Sequence, residues 1–297
     1  MLRTVAFVLS MLTVAASGQP AAAQSPVRPQ ASGSGLPVSQ CQAIAQKLPG
    51  ATYAGFTPSP AASPLPVWQV QARKALTTAE KEAVKITFVG HSTYFIETPA
   101  GIGIATDYSG VYQPSRLPDV VTMNRAHSTH YTLTPDPGIA TVLHGWSDVP
   151  GEKAKHQVVV GDAYIRNVAS DIRNWGGGTE ENGNSIFIFE VAGLCIGHLG
   201  HLHFELNEQQ YTEIGRLDVL MVPVDGGLTM GADSMSRVVQ RLRSSLILPM
   251  HRFGPPLDSF LAMFDTKFDI AYAKDDVITV SMRSLPKKPT ILVPKGL

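Results

Sequence analysis

The chain has 297 residues, with 24 Lys and Arg against 24 Asp and Glu, 44% apolar residues, 16% charged residues and two Cys. That length admits one large domain or two small ones, and the apolar share excludes general disorder. A formal charge of zero without any run of Lys or Arg leaves no electrostatic footprint for a phosphate backbone, which excludes nucleic acid as an expected partner.

Residues 1–23 read as a signal peptide. Arg3 supplies the positive start and Ala21-Ala22-Ala23 a small-residue cleavage site. The apolar stretch between them, Val5 to Val14, is too short to span a bilayer, which needs ~20 residues. The expectation is a periplasmic or secreted protein with no membrane attachment after cleavage. Residues 24–66 form a Pro/Ser/Ala-rich arm in which only Ser39 to Leu48 carries a helical pattern. An oxidising compartment would let Cys41 and Cys195 pair. Cys195, however, sits in the run Gly193-Leu194-Cys195-Ile196-Gly197 and reads more simply as a buried small hydrophobe.

Residues 67–297 have the texture of a single folded domain. Lys85 to Val89, Thr93 to Glu97, Ile102 to Thr106, Val120 to Met123, Gln157 to Val160 and Ser185 to Val191 read as strands, because β-branched runs are bounded there by Gly, Asn and Pro. Asn174 to Asn184, rich in Gly and Asn around Trp175, reads as a loop, and Trp146 and Trp175 are candidate apolar pocket walls. Strands at Leu194 to Leu199, Leu217 to Val222, Leu246 to Met250, Phe268 to Ala273 and Val277 to Val280 then alternate with helices at Asn207 to Ile214, Asp233 to Leu242 and Leu257 to Phe264. The pattern predicts two packed sheets with helices outside.

Two common motifs fail on context. Gly101-Ile102-Gly103 lacks the third Gly and the helix of a dinucleotide fingerprint. Gly90-His91-Ser92 lacks the second Gly of a nucleophile elbow and leads into a strand. What stands out is the placement of His91, His127, His130, His198, His201, His203 and His251, all at the ends of apolar runs. Strand ends are where sites are built. His127 and His130 lie three apart, so one helical turn would point both rings the same way. Neutral imidazoles converging from several loops are a usual way to hold zinc or a related ion.

The pieces Phe88-Val89-Gly90-His91-Ser92, Ile104-Ala105-Thr106-Asp107, Asn124 to His130, His198-Leu199-Gly200-His201, Val222 to Gly227 and Pro249-Met250-His251, in this order, resemble the metallo-β-lactamase-fold hydrolases. The branch they resemble is that of L-ascorbate-6-phosphate lactonase. The resemblance implies an α/β fold, an αββα four-layer sandwich. It also implies a metal site between strand-end loops that hydrolyses an ester, lactone, amide or phosphodiester of a small-molecule substrate with metal-activated water. Of the family's H-x-H-x-D-H motif only His127 and His130 carry over, since Arg125 and Thr129 stand at the first His and the Asp. His201 stands where H-x-G-D has its Asp, and His251 matches the last His.

The expected shell is therefore one divalent ion, zinc first with manganese or iron as alternates, held by His127, His130, His201 and His251. His198 is a further metal candidate, and Asp171 a fifth ligand near the remaining family His. Asp225 is the first candidate proton acceptor or ligand orienter and Asp107 the second. Arg125, which cannot ligate, is a candidate for binding a substrate anion or an oxyanion. His91 is expected near the site without touching metal, His203 in either a structural or an orienting role, and His144 and His156 on the surface. The alternative reading is a non-catalytic derivative of the fold that binds a ligand or partner, with redox or storage use of the metal as a third.

Overall fold

Alternating and continuous apolar runs in this chain fold into two mixed β-sheets in the computed structural model, which describes residues 38–46, 82–174, 176–264 and 266–297. The first sheet holds β1 (Val84–Gly90), β2 (Thr93–Glu97), β3 (Gly103–Ala105), β4 (Val120–Met123), β5 (Thr141–His144) and β13 (Val277–Val280), ordered β13-β1-β2-β3-β4-β5. The second holds β6 (Gln157–Val160), β7 (Ala163–Arg173), β8 (Thr179–Val191), β9 (Leu194–His198), β10 (Val219–Pro223), β11 (Leu246–Met250), β12 (Asp269–Tyr272) and β14 (Thr290–Val293), ordered β12-β14-β11-β10-β9-β8-β7-β6. The described helices are α1 (Gln40–Gln46), α2 (Glu208–Ile214), α3 (Ala232–Leu242) and α4 (Leu257–Leu261). None of them is long and apolar enough to cross a membrane.

The period of two along each strand sorts the side chains into layers. On β8, Phe187 and Phe189 face the first sheet, where they meet Ile86, Tyr94, Ile96 and Ile104. Ile186 and Ile188 face the other way, into a cluster with Ile214 of α2, Met235, Val238 and Val239 of α3 and Phe260 of α4. The central strands β10 and β11 are buried at every position, which is why their sequences run apolar without alternation. Burying each large apolar side chain of α3 contributes about 1.5–3 kcal/mol before chain entropy. α2 starts at Asn207, whose side chain accepts from the Gln210 N–H while the Gln210 side chain accepts from the Asn207 N–H.

The expected sandwich of two sheets with outer helices is present. On the outer face of the first sheet, Phe95, Ala105, Val121 and Met123 are covered by Tyr108, Ile139, Tyr131 and Trp146 from connecting segments, with no helix among the described residues there. Four stretches differ from expectation. Thr179 to Asn184 is strand, because β7 pairs with it through Ile172↔Glu180 and Arg173↔Thr179 beyond a register shift at Ser170/Ile172. β5, β7 and β14 are strands with no strong sequence signal, the polar residues of β7 being supported by partners on β6 and β8. Residues 1–37 and 47–81, and with them the expected leader, most of the expected arm and the start of the expected domain, lie outside the described residues, as does Trp175.

Cys41 and Cys195 form a disulfide, with Cα atoms 6.0 Å apart, so the reading of Cys195 as an unpaired hydrophobe is corrected. The bond fastens α1 to β9, and buried polar contacts surround it. Glu190 accepts from the Ser39 hydroxyl and the Gln40 N–H, and pairs with Arg166 at 2.8 Å. Arg166 also donates to the last carbonyls of α2, Glu213 and Ile214, at 2.7 Å each. A cross-link closing so long a loop restricts the unfolded chain and stabilises the fold by about 2–5 kcal/mol. Reduction, or Cys195→Ser, is therefore expected to lower the thermal midpoint measurably in calorimetry; an unchanged midpoint with and without reductant would contradict the role assigned to the bond.

Candidate metal centre

The site is assembled at one end of both sheets. β1 ends at Gly90 and delivers His91, and the segment after β4 delivers His127 and His130. The turn after β9 delivers His201, and β11 ends beside His251. The His251 N–H donates to the His91 carbonyl at 2.6 Å, joining the two sheets at the site itself. Three site residues adopt the left-handed backbone region, His91 (φ 52), Asp107 (φ 42) and His251 (φ 52). For a residue with a Cβ that conformation costs about 1–3 kcal/mol and persists where the surroundings over-determine it. Gly90 is needed for close approach, because a Cβ there would fall 2.4 Å from the ring of Tyr112, which stacks on His91.

His91, His127, His130 and His251 each place one ring nitrogen within 4.8 Å of all the others. Nitrogens about 2.1 Å from one tetrahedral zinc lie roughly 3.4 Å apart; the His91 and His130 Nε2 atoms are 3.3 Å apart, and the full set is somewhat looser. His251 is fully buried and neither ring nitrogen has a hydrogen-bond partner. Its Nδ1 lies 2.9 Å from Asp225 Oδ2, a distance without hydrogen-bond alignment. Buried imidazole nitrogens without partners, gathered in this way, fit a cation.

The partners behind these rings orient them. His130 Nδ1 donates to Asp107 Oδ2 at 2.7 Å, which leaves the Nε2 lone pair facing the cluster. The other Asp107 oxygen accepts from Asn124 Nδ2 at 2.8 Å, and Asn124 Oδ1 accepts from the Ser185 N–H on the second sheet. Thr129 Oγ1 lies 2.8 Å from His127 Nδ1, so the residue standing at the family's Asp position supports a cluster histidine from behind. Asp225 Oδ1 accepts from the N–H groups of Gly227 and Thr229, and Oδ2 accepts from the Thr229 hydroxyl. Both carboxylates are buried and every oxygen already accepts at least one hydrogen bond, an arrangement that suits the orienting alternative expected of Asp225.

Other expectations change. His198 is excluded as a ligand, because Nε2 donates to the Ser92 carbonyl at 2.8 Å and Nδ1 accepts from the Gly200 N–H. Asp171 lies on β7, where Oδ1 accepts from the Asn182 N–H, and it does not belong to the converging group. His91 joins that group, contrary to its expected place outside it. His201 packs against His127, His130 and His251 with ring centroids 4.7–5.1 Å away, and its Nδ1 meets His203 Nε2 at 2.8 Å. Arg125 is half-exposed and pairs with Glu180 at 3.4 Å, on the wall of a groove of about 470 Å³ that Trp146 also lines but no cluster histidine does. His144 and His156 are half-buried, the first stacked on Trp146 and the second bonded through Nε2 to the His144 carbonyl. Among the residues missed, Ser92, Asn124 and Thr229 had no signal of their own, whereas His91 shared the strand-end position of the other cluster histidines.

Electrostatics oppose protonation of the rings around the cluster. Burial, and then the neighbouring His251, His130 and His127, bring His91 down to about 3; burial, and then His130 and His251, bring His127 down to about 4. Burial lowers His130, His198 and His201 as well. Asp107 is held below the usual carboxylate range: burial pushes it up, but His198, His130 and Asn124 outweigh this. Asp225 is likewise held low by His251, Thr229 and the Gly227 N–H against the effect of burial.

A family model described as "Beta-lactamase superfamily domain" matches residues 85–251, more than half of the chain. The UPF0173 metal-dependent hydrolase of Pyrococcus furiosus is 26% identical over 196 residues, covering 59% of this chain and 87% of that protein. The corresponding protein of Pyrococcus abyssi is 26% identical over 201 residues, covering 59% and 88%. A solved Thermotoga maritima structure, described as a candidate zinc-dependent hydrolase of the metallo-β-lactamase superfamily, is 28% identical with a TM-score of 0.51, covering 71% of this chain and 98% of that one.

The depressed imidazoles set the direction of the pH response. Below the ordinary histidine value of about 6.5 the unfolded chain takes up protons that the folded chain refuses, so stability falls from there down towards pH 4. In chelator-treated protein the urea midpoint is expected to drop across this interval, and to drop less in the His91→Asn/His127→Asn double variant. Parallel curves for the two proteins would contradict the assignment.

Proposed function

The chain belongs to the β-lactamase superfamily, and from that membership together with the imidazole cluster we propose that it is an exported metal-dependent hydrolase acting on a small-molecule ester, lactone, amide or phosphodiester. The observation that carries the reading is the convergence of His91, His127, His130 and His251, each with a ring nitrogen within 4.8 Å of the others and no acidic side chain among them. When bound there, a single divalent ion, zinc before manganese or iron, supplies Lewis acidity that acidifies water and polarises the scissile group.

The chain's own residues do the remainder. Asp107 fixes His130 as a lone-pair donor, Thr129 supports His127, and Asp225 braces the turn that faces His251. Arg125, close in sequence to His127 and with half its side chain open to solvent, is the cation available to an anionic substrate group once Glu180 releases it. The narrower lactonase reading rests on the sequence resemblance alone. Export is supported by the leader-like residues 1–23 and by the disulfide, which persists in oxidising compartments. A formal charge of zero argues for no nucleic-acid partner.

A second reading, a non-catalytic derivative that keeps the site for binding, is favoured by one observation, the engagement of every oxygen of Asp107 and Asp225 in a hydrogen bond to the protein. Metal analysis of the purified protein, followed by lactone, phosphodiester and β-lactam panels, separates the two. The expected result is about one zinc per chain and turnover abolished by His127→Ala or His251→Ala; metal without turnover on any panel supports the second reading, and no metal binding overturns both. Asp107→Asn is expected to weaken zinc binding about 10–100-fold while the fold persists, as read by competition with a chromogenic chelator; unchanged affinity would remove Asp107 from its orienting role.

A further inference from the structure

His201 and His130 are neighbours in the cluster, yet the groups behind them differ in kind. Behind His130 stands an acceptor, the Asp107 carboxylate, so the proton sits on Nδ1 and Nε2 offers a lone pair. Behind His201 stands His203, whose Nδ1 accepts from the backbone N–H of Arg173 at 2.5 Å. A backbone amide cannot reverse its direction. The proton of neutral His203 therefore lies on Nε2, and that Nε2 is 2.8 Å from His201 Nδ1. His201 Nδ1 must then accept, and the His201 proton lies on Nε2. The opposite assignment would put a proton on His203 Nδ1, facing the Arg173 N–H, donor against donor.

His201 Nε2 is buried and has no hydrogen-bond partner, and its ring stands almost perpendicular to those of His127, His130 and His251. A buried donor without an acceptor is rare in a folded protein and marks a place where a bound group completes the bond. We propose that His201 is not a metal ligand but a fixed N–H donor, set by the relay Arg173 N–H to His203 to His201, that binds a carbonyl or phosphoryl oxygen of the substrate as negative charge develops on it. Replacing the family's Asp by His at this position exchanges an acceptor for a donor. Preorganised donors aimed at developing oxyanion charge accelerate acyl and phosphoryl transfer. The substrate-binding part rests on the hydrolase reading above; the proton placement does not.

The test begins with the metal-free protein labelled with ¹⁵N at histidine. Long-range ¹H–¹⁵N correlation is expected to show Nε2–H at His201 and His203 and Nδ1–H at His130. A proton on Nδ1 of His201 overturns the proposal, whether or not the protein hydrolyses anything. The second arm titrates zinc alone. His201→Ala is expected to leave zinc affinity within about threefold of wild type, well short of the 10–100-fold typical of losing even an outer-shell partner, whereas a loss as steep as that of His251→Ala overturns it. His203→Asp supplies an acceptor that flips His201, frees its Nε2 lone pair and is expected to tighten zinc about tenfold, with the gain lost in His203→Asp/His201→Ala; no gain in a folded His203→Asp overturns the relay. His203→Gln keeps an N–H donor and is expected to preserve the wild-type tautomer. If zinc does not bind to any form, the hydrolase reading fails while the tautomer spectrum still decides the relay.

Discussion

Burial and mutual ring contact at the meeting point of two sheets hold His91, His127, His130 and His201 in the neutral form. A proton on one raises the cost of a proton on each neighbour, and burial removes the water that would solvate either. Neutrality leaves every ring with one N–H and one lone pair, so the chemistry of the cluster is decided by which nitrogen holds the proton. That choice is made from behind, by the ionised Asp107 carboxylate and by two backbone groups of fixed polarity, the Arg173 N–H and the Ser92 carbonyl. The three assignments differ because the three groups differ, giving a lone pair at His130, an N–H at His201 and a wholly committed ring at His198.

The sheets supply the rigidity this requires. His91 and His251 hang from the ends of strands buried in the inter-sheet core, and their backbones are joined by a hydrogen bond across the sheets. Asn124 reaches between the two sheets, holding Asp107 and Ser185, while Asn184 at the same end of the second sheet accepts from the His201 backbone N–H at 2.8 Å. Gly200 makes this possible, since a Cβ there would fall 2.3 Å from both Asn side chains. The left-handed backbones of His91, Asp107 and His251 are local costs offset by the surrounding apolar core.

The fold was largely legible because its central strands are apolar on both faces, α2 carries a clear cap at Asn207 and α3 an apolar stripe along Met235, Val238 and Val239. β7 and the start of β8 were not, because Arg166, Asn167, Ser170 and the run Thr179 to Asn184 are polar residues whose strand conformation comes from tertiary pairing. The strand-end histidines were legible as a group. Their division into ligands and supports was not, since His198, His201 and His203 are close in sequence and are separated only by contacts to Ser92, Asn184 and Arg173. The pairing of Cys41 with Cys195 escaped for a related reason: it depends on α1 docking through Glu190 and Arg166, across a separation of 154 residues.

X-ray absorption at the zinc edge of the loaded protein reads the centre most directly. The account predicts one zinc with about four nitrogen neighbours at roughly 2.0–2.1 Å, multiple scattering from imidazole rings and no carboxylate contribution. A carboxylate oxygen in the shell, or a second metal at roughly 3.5–4 Å, would contradict an all-imidazole site for one ion.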